Sequence, residues 1–133
     1  MKIGIIGSGR VGSQLAFTLV HGGIGDELVL YNRSAARAQG EALDLEHALA
    51  FTQRRMEISA GPPEAFVGAD ILVLCASRPL PAGETDRRLL GPENVALGRE
   101  LLPRFAALAP DACLVIVSNP VDVLTYYAVE QTG

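Results

Sequence analysis

The chain has 133 residues, of which 49% are hydrophobic, 20% charged and 5% aromatic, and this composition predicts one globular domain with a single core. The formal net charge is −4 and the basic residues form no stripe, which disfavours a nucleic-acid-binding surface. The apolar runs are far shorter than the roughly 20 residues of a membrane span, and the first residues lack the long apolar stretch of a secretory leader.

The first half of the chain alternates short apolar runs with segments of helical periodicity. Residues 2–6 predict a strand, and apolar residues at helical spacing from Val11 to Val20 predict a helix. The run ELVLY at 27–31 predicts a second strand, and Ser34 is a suitable N-cap for a second helix. Residues 54–59 alternate in polarity, which predicts a third strand nearer an edge of the sheet. The stripe expected to be buried on the second helix consists of Ala35, Ala38, Ala42, Leu45 and Leu49.

Two continuous apolar runs mark the strands of the second half. Residues 71–75 and 113–117 have the composition of parallel strands that helices cover on both faces. Residues 87–109 predict a helical stretch with interruptions at its two prolines, and residues 121–131 predict a last helix. Alternation of strands and helices predicts an α/β fold of the Rossmann type: a doubly wound parallel sheet of five strands in the order 3-2-1-4-5, with helices on both faces.

The two cysteines lie inside these last two apolar runs. A thiol in such a run behaves as a small hydrophobe, so Cys75 and Cys113 are expected to be buried and reduced. This usage fits a cytoplasmic location.

A glycine-rich loop follows the first strand. Residues 7–12 read G-S-G-R-V-G, which is the pattern G-x-G-x-x-G. Gly7 permits the turn, Gly9 lets the backbone approach a pyrophosphate, and Gly12 lets the helix pack on the strand. The motif is weak alone, but here it follows a strand and opens an amphipathic helix, so it predicts dinucleotide binding by Gly7, Ser8, Gly9, Arg10, Val11 and Gly12. The alternative is a glycine turn with a structural role only.

The position twenty residues beyond the loop departs from the dinucleotide-binding pattern. An acid is expected there to bind the ribose 2′-hydroxyl, but the chain has Asn32, followed by Arg33 and Ser34. A carboxylate would repel a 2′-phosphate by about 4 kcal/mol per charge pair at contact in an intermediate dielectric, whereas an amide does not. We therefore expect a cofactor of the NAD(P) class with a preference for NADP(H), held by Arg33 and the Ser34 hydroxyl. The alternative is that Asn32 binds the hydroxyls of NAD(H) and Arg33 is solvated.

Six segments in register resemble the L-lactate/L-malate dehydrogenase family along the whole chain. They are KIGIIGSGRVG at 2–12, DELVLYNRS at 26–34, GEALDLEHA at 40–48, GET at 83–85, ENVAL at 93–97 and SNPVDVLTYYA at 118–128. The last is the most specific of them. The resemblance implies the cofactor-binding domain of an oxidoreductase that transfers hydride between a nicotinamide and a 2-oxo acid.

The resemblance also implies roles for particular residues. Asn119 corresponds to an asparagine that orients the substrate and contacts the cofactor near its nicotinamide; the alternative is a turn amide that caps the next helix. The further cofactor contacts that the resemblance implies are Ala76, Ser77, Asn94 and Val117.

The family's mobile loop carries an arginine that polarises the substrate carbonyl. Counted back from ENVAL, that position is Arg87, whereas counted forward from GET it is Asp86. Arg87 is therefore the expected catalytic and substrate-binding residue, and Arg88 remains an alternative. Either arginine could instead be a solvated charge near the start of a helix.

The residue that reads the variable end of the substrate corresponds to Leu80. Leucine cannot pair with a second carboxylate, so an apolar 2-oxo acid is favoured over malate. Arg78 could substitute in a different loop fold, and Leu80 could also be an ordinary packing residue.

The chain shows no proton donor for hydride transfer. In the family a histidine held by an aspartate, and a second arginine, lie beyond the segment that this chain resembles. His21 and His47 lie far along helices that leave the binding edge, roughly 18 Å away at 1.5 Å per residue. No metal-ligand spacing is visible either. We expect residues 1–133 to form one dinucleotide-binding domain without the catalytic C-terminal domain, and to be inactive alone.

One further expectation concerns partners, and one concerns an alternative function. The resemblance implies a homo-oligomer of the full-length protein, partly through the helix of residues 34–50. A stand-alone nucleotide-sensing regulatory module is the alternative function; it would explain the short chain but not GET, the arginine pair and SNPVDVLTY.

Overall fold

The computed structural model describes residues 1–79, 83, 85–86 and 90–132, and nine helices and strands are used below. They are β1 (Lys2–Ile6), α1 (Arg10–Gly22), β2 (Glu27–Tyr31), α2 (Ala35–Leu49), β3 (Glu57–Ala60), β4 (Ile71–Leu74), α3 (Leu90–Leu108), β5 (Cys113–Ile116) and α4 (Val121–Thr132). All strand pairs are parallel, and the order of the five-stranded sheet is β3-β2-β1-β4-β5. The predicted fold class and strand order are confirmed.

Alternate residues of the central strands point to two separate apolar clusters. Ile3 and Ile5 of β1 pack with buried residues of α1 and α2, whereas Ile6 packs with buried residues of α3 and α4. Helices therefore cover both faces of the sheet, as the continuous apolar composition of β4 predicts. Of the stripe predicted on α2, the buried members are Ala38, Ala42 and Leu45.

Several predicted bounds differ from the structure. β4 and β5 each end one residue earlier than predicted, and the larger differences concern β3 and α3. β3 begins at Glu57 rather than at Arg54, and α3 runs without a break from Leu90 to Leu108. Pro92 lies in the first turn of α3, where its missing N–H costs nothing. Pro103 lies inside the helix, and buried residues precede and follow it along the chain. The helix continues through Pro103 because the packing of its apolar face outweighs the local propensity of proline to break a helix.

The prediction that both cysteines are buried in strands covered on two faces is wrong. β5 is an edge strand: Leu114 and Ile116 pack against one cluster, while Cys113 and Val115 on the other face are exposed. Cys75 is half-buried, and burial raises the pKa of its thiol. The apolar run indicates a strand but does not determine which of its faces other segments cover, and among the described residues nothing covers this face of β5.

No helix in the described part of the chain is long and apolar enough to cross a membrane.

Candidate functional site

The glycine loop between β1 and α1 is held closely against its surroundings. Gly7 has a φ of 106°, and a Cβ there would lie 2.5 Å from the backbone of Ala76. The N–H groups of Gly7 and Ser8 both donate to the Tyr31 carbonyl, at 2.9 and 3.0 Å. A Cβ on Gly12 would lie 2.1 Å from the Gly7 carbonyl oxygen. Gly7 and Gly12 are therefore required by the packing of the loop itself.

Gly9 differs from the other two glycines of the motif. A Cβ built on it meets nothing within 4 Å, so its backbone borders open space. Gly9 is also the N-cap of α1, where no side chain caps the helix and no acidic residue lies in the first turn. The N–H groups of the first turn have no intrahelical acceptor, and they carry the positive end of the helix dipole. The open space beside Gly9 thus fits a pyrophosphate group, so the glycine loop is compatible with the predicted dinucleotide cofactor.

The Asn32 side chain ties the glycine loop to the end of β2. Its Nδ2 donates to the Ser8 carbonyl at 3.2 Å and to the Ser8 hydroxyl at 3.3 Å. Its Oδ1 accepts the N–H of Ser34 at 3.1 Å. Both N–H bonds of the amide are thus used within the protein, and the oxygen alone keeps a lone pair for a ligand.

A cleft of about 740 Å³, which we call the β2-side cleft, opens beside the ends of β2 and β4. Arg10, Arg33, Arg37 and Arg78 line it, and among the described residues no carboxylate forms an ion pair with any of them. Glu100 of α3 is the acidic residue of the lining. The four arginines against one glutamate give the lining of this cleft an excess of positive charge, which suits an anionic ligand.

Arg37 and Glu100 were not predicted as site residues. Arg37 lies in the first turn of α2, and its N–H donates to the Ser34 hydroxyl oxygen at 3.4 Å, which confirms Ser34 as the N-cap. Its position three residues after an N-cap at the carboxyl edge of the sheet was the available signal. Glu100 lines the cleft together with Leu97, three residues before it on the same face of α3, and with Leu101.

A second cleft of about 560 Å³, the β5-side cleft, lies at the ends of β4 and β5. It shares Val11, Cys75 and Ser77 with the β2-side cleft, so the two adjoin at the start of α1. Val117 and Asn119 also line it, as do residues of the first turns of α3.

Asn119 presents an unengaged side chain to the β5-side cleft. The residue is exposed, and no described residue forms a hydrogen bond with its side-chain amide. Its backbone carbonyl accepts a bond of 2.8 Å from Asn94 Nδ2, and its peptide bond to Pro120 is cis. The preceding residue, Ser118, is buried and its hydroxyl donates to the Ala76 carbonyl at 2.6 Å. The backbone of Asn119 is therefore held at the cleft wall, and no described residue occupies the hydrogen-bonding groups of its side-chain amide.

The remaining predicted residues divide into three groups. Ala76 and Ser77 line the β2-side cleft, and Asn94 lines the β5-side cleft. Ser8, Gly12 and Ser34 line neither cleft, and each supports the loop or helix beside it. The remaining predicted site residues, Leu80, Arg87 and the alternative Arg88, lie outside the described residues.

The two histidines lie away from the site. His21 and His47 are exposed, and each occupies the last turn of its helix, whereas the first turns of those helices border the glycine loop and the end of β2. Within the described ranges, no group of three His, Cys, Asp or Glu side chains could hold a metal ion.

Comparison with known proteins identifies the family. Residues 1–133 match the family model described as lactate/malate dehydrogenase, NAD binding domain. The chain is 39% identical over 132 residues to an L-lactate dehydrogenase of Pseudothermotoga lettingae, covering 99% of this chain and 42% of that protein.

Solved structures show the same relationship. A lactate dehydrogenase from a Medee basin deep-sea metagenome library superposes with a TM-score of 0.89 at 36% identity, covering 99% of this chain and 42% of that one. The malate dehydrogenase from Archaeoglobus fulgidus, solved in complex with NADH, gives a TM-score of 0.90 at 34% identity, covering 100% of this chain and 45% of that one. The chain thus spans less than half the length of these relatives. It belongs to the lactate/malate dehydrogenase family, whose members are oxidoreductases, and corresponds to their NAD-binding domain.

Proposed function

We propose that this chain is the cofactor-binding part of an NAD(P)-dependent L-2-hydroxyacid dehydrogenase of the lactate/malate type. The observation that carries the proposal is the continuity of the two clefts across the glycine loop. A dinucleotide whose pyrophosphate lies beside Gly9 would extend its adenosine half into the arginine-lined β2-side cleft. Its other half would enter the β5-side cleft, next to the free amide of Asn119.

The chemistry of this reaction is hydride transfer to or from a 2-oxo acid. When bound, the reduced dinucleotide supplies the hydride for the carbonyl carbon of the substrate. Asn119 orients that carbonyl, and Arg87 polarises it. By resemblance, Leu80 corresponds to the residue that recognises the variable end of the substrate, and because leucine cannot pair with a second carboxylate, an apolar 2-oxo acid is the favoured substrate class. Neither His21 nor His47 is the donor of the proton for the carbonyl oxygen, because both lie in the last turns of their helices, away from the clefts; we propose that the donor lies outside residues 1–133.

The experiment that tests this function is a titration of NADH fluorescence with the purified chain, combined with an assay of 2-oxo acid reduction. The chain is expected to bind NADH and to show no turnover. Absence of NADH binding would contradict the proposed function. Detectable turnover would instead contradict the absence of the proton donor from this domain.

We further propose that the cofactor is preferentially NADP(H). The amide of Asn32 replaces the carboxylate that would repel a 2′-phosphate, and it is held in place by Ser8 and Ser34. Arg33 and Arg37 line the same cleft, and the Ser34 hydroxyl keeps its proton to donate, since its oxygen accepts the Arg37 N–H. Charge-assisted hydrogen bonds from a guanidinium to a phosphate are among the stronger polar contacts in proteins.

Replacing Arg33 by glutamine should weaken NADPH binding by about fivefold and NADH binding by less than about twofold, since an exposed charge pair contributes up to about 1 kcal/mol. Dissociation constants for both dinucleotides, measured at low and high salt, check this prediction. Arg55→Gln is the matched control, because it removes the same charge from an exposed loop outside both clefts. Tighter binding of NADH than of NADPH by the unmodified chain would contradict the preference.

The full-length protein is proposed to be a homo-oligomer that uses α2. Gly40 lies inside this helix, where glycine costs about 1 kcal/mol relative to alanine, yet a Cβ there would meet nothing within 4 Å. Leu43, one turn away, is 51% exposed. Within the described chain neither feature has an internal cause, and both are accounted for by the close approach of a second subunit.

A cytoplasmic location fits the two unpaired cysteines.

A further inference from the structure

The side chain of Asn94 is almost completely buried and forms four polar contacts within the protein. It lies in the first turns of α3 and is 4% exposed. Its Oδ1 accepts the N–H of Arg78 at 2.8 Å and lies 3.3 Å from the Ser77 hydroxyl. Its Nδ2 donates to the Asn119 carbonyl at 2.8 Å and to the Ser77 hydroxyl at 3.1 Å. The donor and acceptor capacity of the amide is therefore used, and little remains for a ligand.

These partners belong to two different segments of the site. Ser77 and Arg78 follow β4 and open the loop that leads to Arg87, whereas Asn119 follows β5. We infer that Asn94 is a positioning residue, whose amide fixes the distance between the start of this loop and Asn119 and so shapes the wall of the β5-side cleft. The inference rests on the proposed function, and it gives Asn94 a role other than the direct cofactor contact that the resemblance implies.

The sheet itself does not depend on Asn94. The N–H groups of Val117 and Ser118 both donate to the Leu74 carbonyl, at 3.0 and 3.1 Å, and the Ser118 hydroxyl donates to the Ala76 carbonyl. These bonds join the ends of β4 and β5 without α3. Loss of the Asn94 amide therefore releases the segments beyond the strands and leaves the strand pairing intact.

The test compares NADH with ADP-ribose, which lacks the nicotinamide and therefore would not place a base in the β5-side cleft. Asn94→Ala should raise the dissociation constant for NADH by about tenfold and that for ADP-ribose by less than about twofold. The tenfold change corresponds to about 1.4 kcal/mol of binding free energy, lost at the nicotinamide end of NADH. Leu102→Ala is the matched control. It truncates a residue of the same helix that is 1% exposed and lines neither cleft, so it lowers stability without changing the ratio of the two constants.

Asn94→Asp adds a readout that a purely structural role would not change. Its ionised carboxylate can still accept the N–H of Arg78, but it has no N–H to donate to the Asn119 carbonyl. Two acceptor oxygens then face each other, so NADH binding should be weak at neutral pH. Burial raises the pKa of a carboxyl group, and the protonated form can again donate to Asn119. NADH affinity of this variant should therefore recover as pH falls through that pKa, while the wild-type chain shows no such step.

Three results would overturn the inference. The first is that Asn94→Ala weakens the binding of NADH and of ADP-ribose equally, and the second is that it changes the binding of neither. The third is that NADH binding by Asn94→Asp shows the wild-type pH profile. Failure of the wild-type chain to bind either ligand would contradict the proposed function, and is distinguished from the first three by the wild-type titration alone.

Discussion

Replacing Gly9 by leucine is expected to abolish cofactor binding while the chain folds normally. A Cβ at this position meets nothing within 4 Å, and the residue has a φ of −86°, which any L-amino acid adopts. The side chain would therefore fill the space that the pyrophosphate needs, rather than displace any part of the protein. Loss of two charge-assisted hydrogen bonds to the helix N-terminus predicts a dissociation constant for NADH at least about 100-fold higher.

Gly12→Ala provides the contrast to this variant. Its Cβ would lie 2.1 Å from the Gly7 carbonyl oxygen, so the glycine loop or α1 must move. We expect it to lower the free energy of unfolding by about 1–3 kcal/mol, whereas Gly9→Leu changes it by less than about 1 kcal/mol. Urea unfolding and NADH titration of both variants separate the two roles. A Gly9→Leu chain that binds NADH as tightly as wild type would show that the pyrophosphate lies elsewhere.

The fold could be predicted in detail where the local pattern and the tertiary environment agree. The bounds of β1 and β2 and the N-cap Ser34 coincide with the prediction, since short apolar runs, glycine turns and capping are local signals. β5 shows the opposite case. Its apolar run correctly indicates a strand, but exposure of Cys113 depends on which segments pack on each face, and the run does not contain that information.

The candidate site was predicted less completely than the fold. Gly7, Gly9 and Gly12 are identified by a motif whose spacing follows from the turn geometry. The hydrogen bonds of Asn94 join it to residues 17 and 25 positions away in sequence, and only the folded chain brings these together. Resemblance assigns such a residue to the neighbourhood of the cofactor, but the contacts that define its role depend on tertiary structure.

Phe105→Ala is expected to have the largest effect on stability. The Phe105 ring is fully buried, and it packs edge-on against Phe66, at 4.8 Å between centroids, and Tyr31, at 5.1 Å. Truncation of a buried phenylalanine costs about 3–5 kcal/mol, which is a large part of the roughly 5–15 kcal/mol that stabilises a domain. Phe51→Ala is the matched control: Phe51 is 93% exposed, so the same substitution should change stability by less than about 0.5 kcal/mol. The midpoints of urea unfolding of the two variants measure the difference, and equal midpoints would contradict the core that the structure places around Phe105.

Phe105→Ala should also weaken cofactor binding by those molecules of the variant that stay folded. Phe105 supports the ring of Tyr31, whose carbonyl accepts the N–H groups of Gly7 and Ser8. A cavity beneath Tyr31 lets the end of β2 shift, and the glycine loop shifts with it. Titration with NADH at a temperature where the variant is folded should therefore give a raised dissociation constant, although Phe105 lines neither cleft. An unchanged constant would show that the loop keeps its position through Asn32 and Ser8 alone.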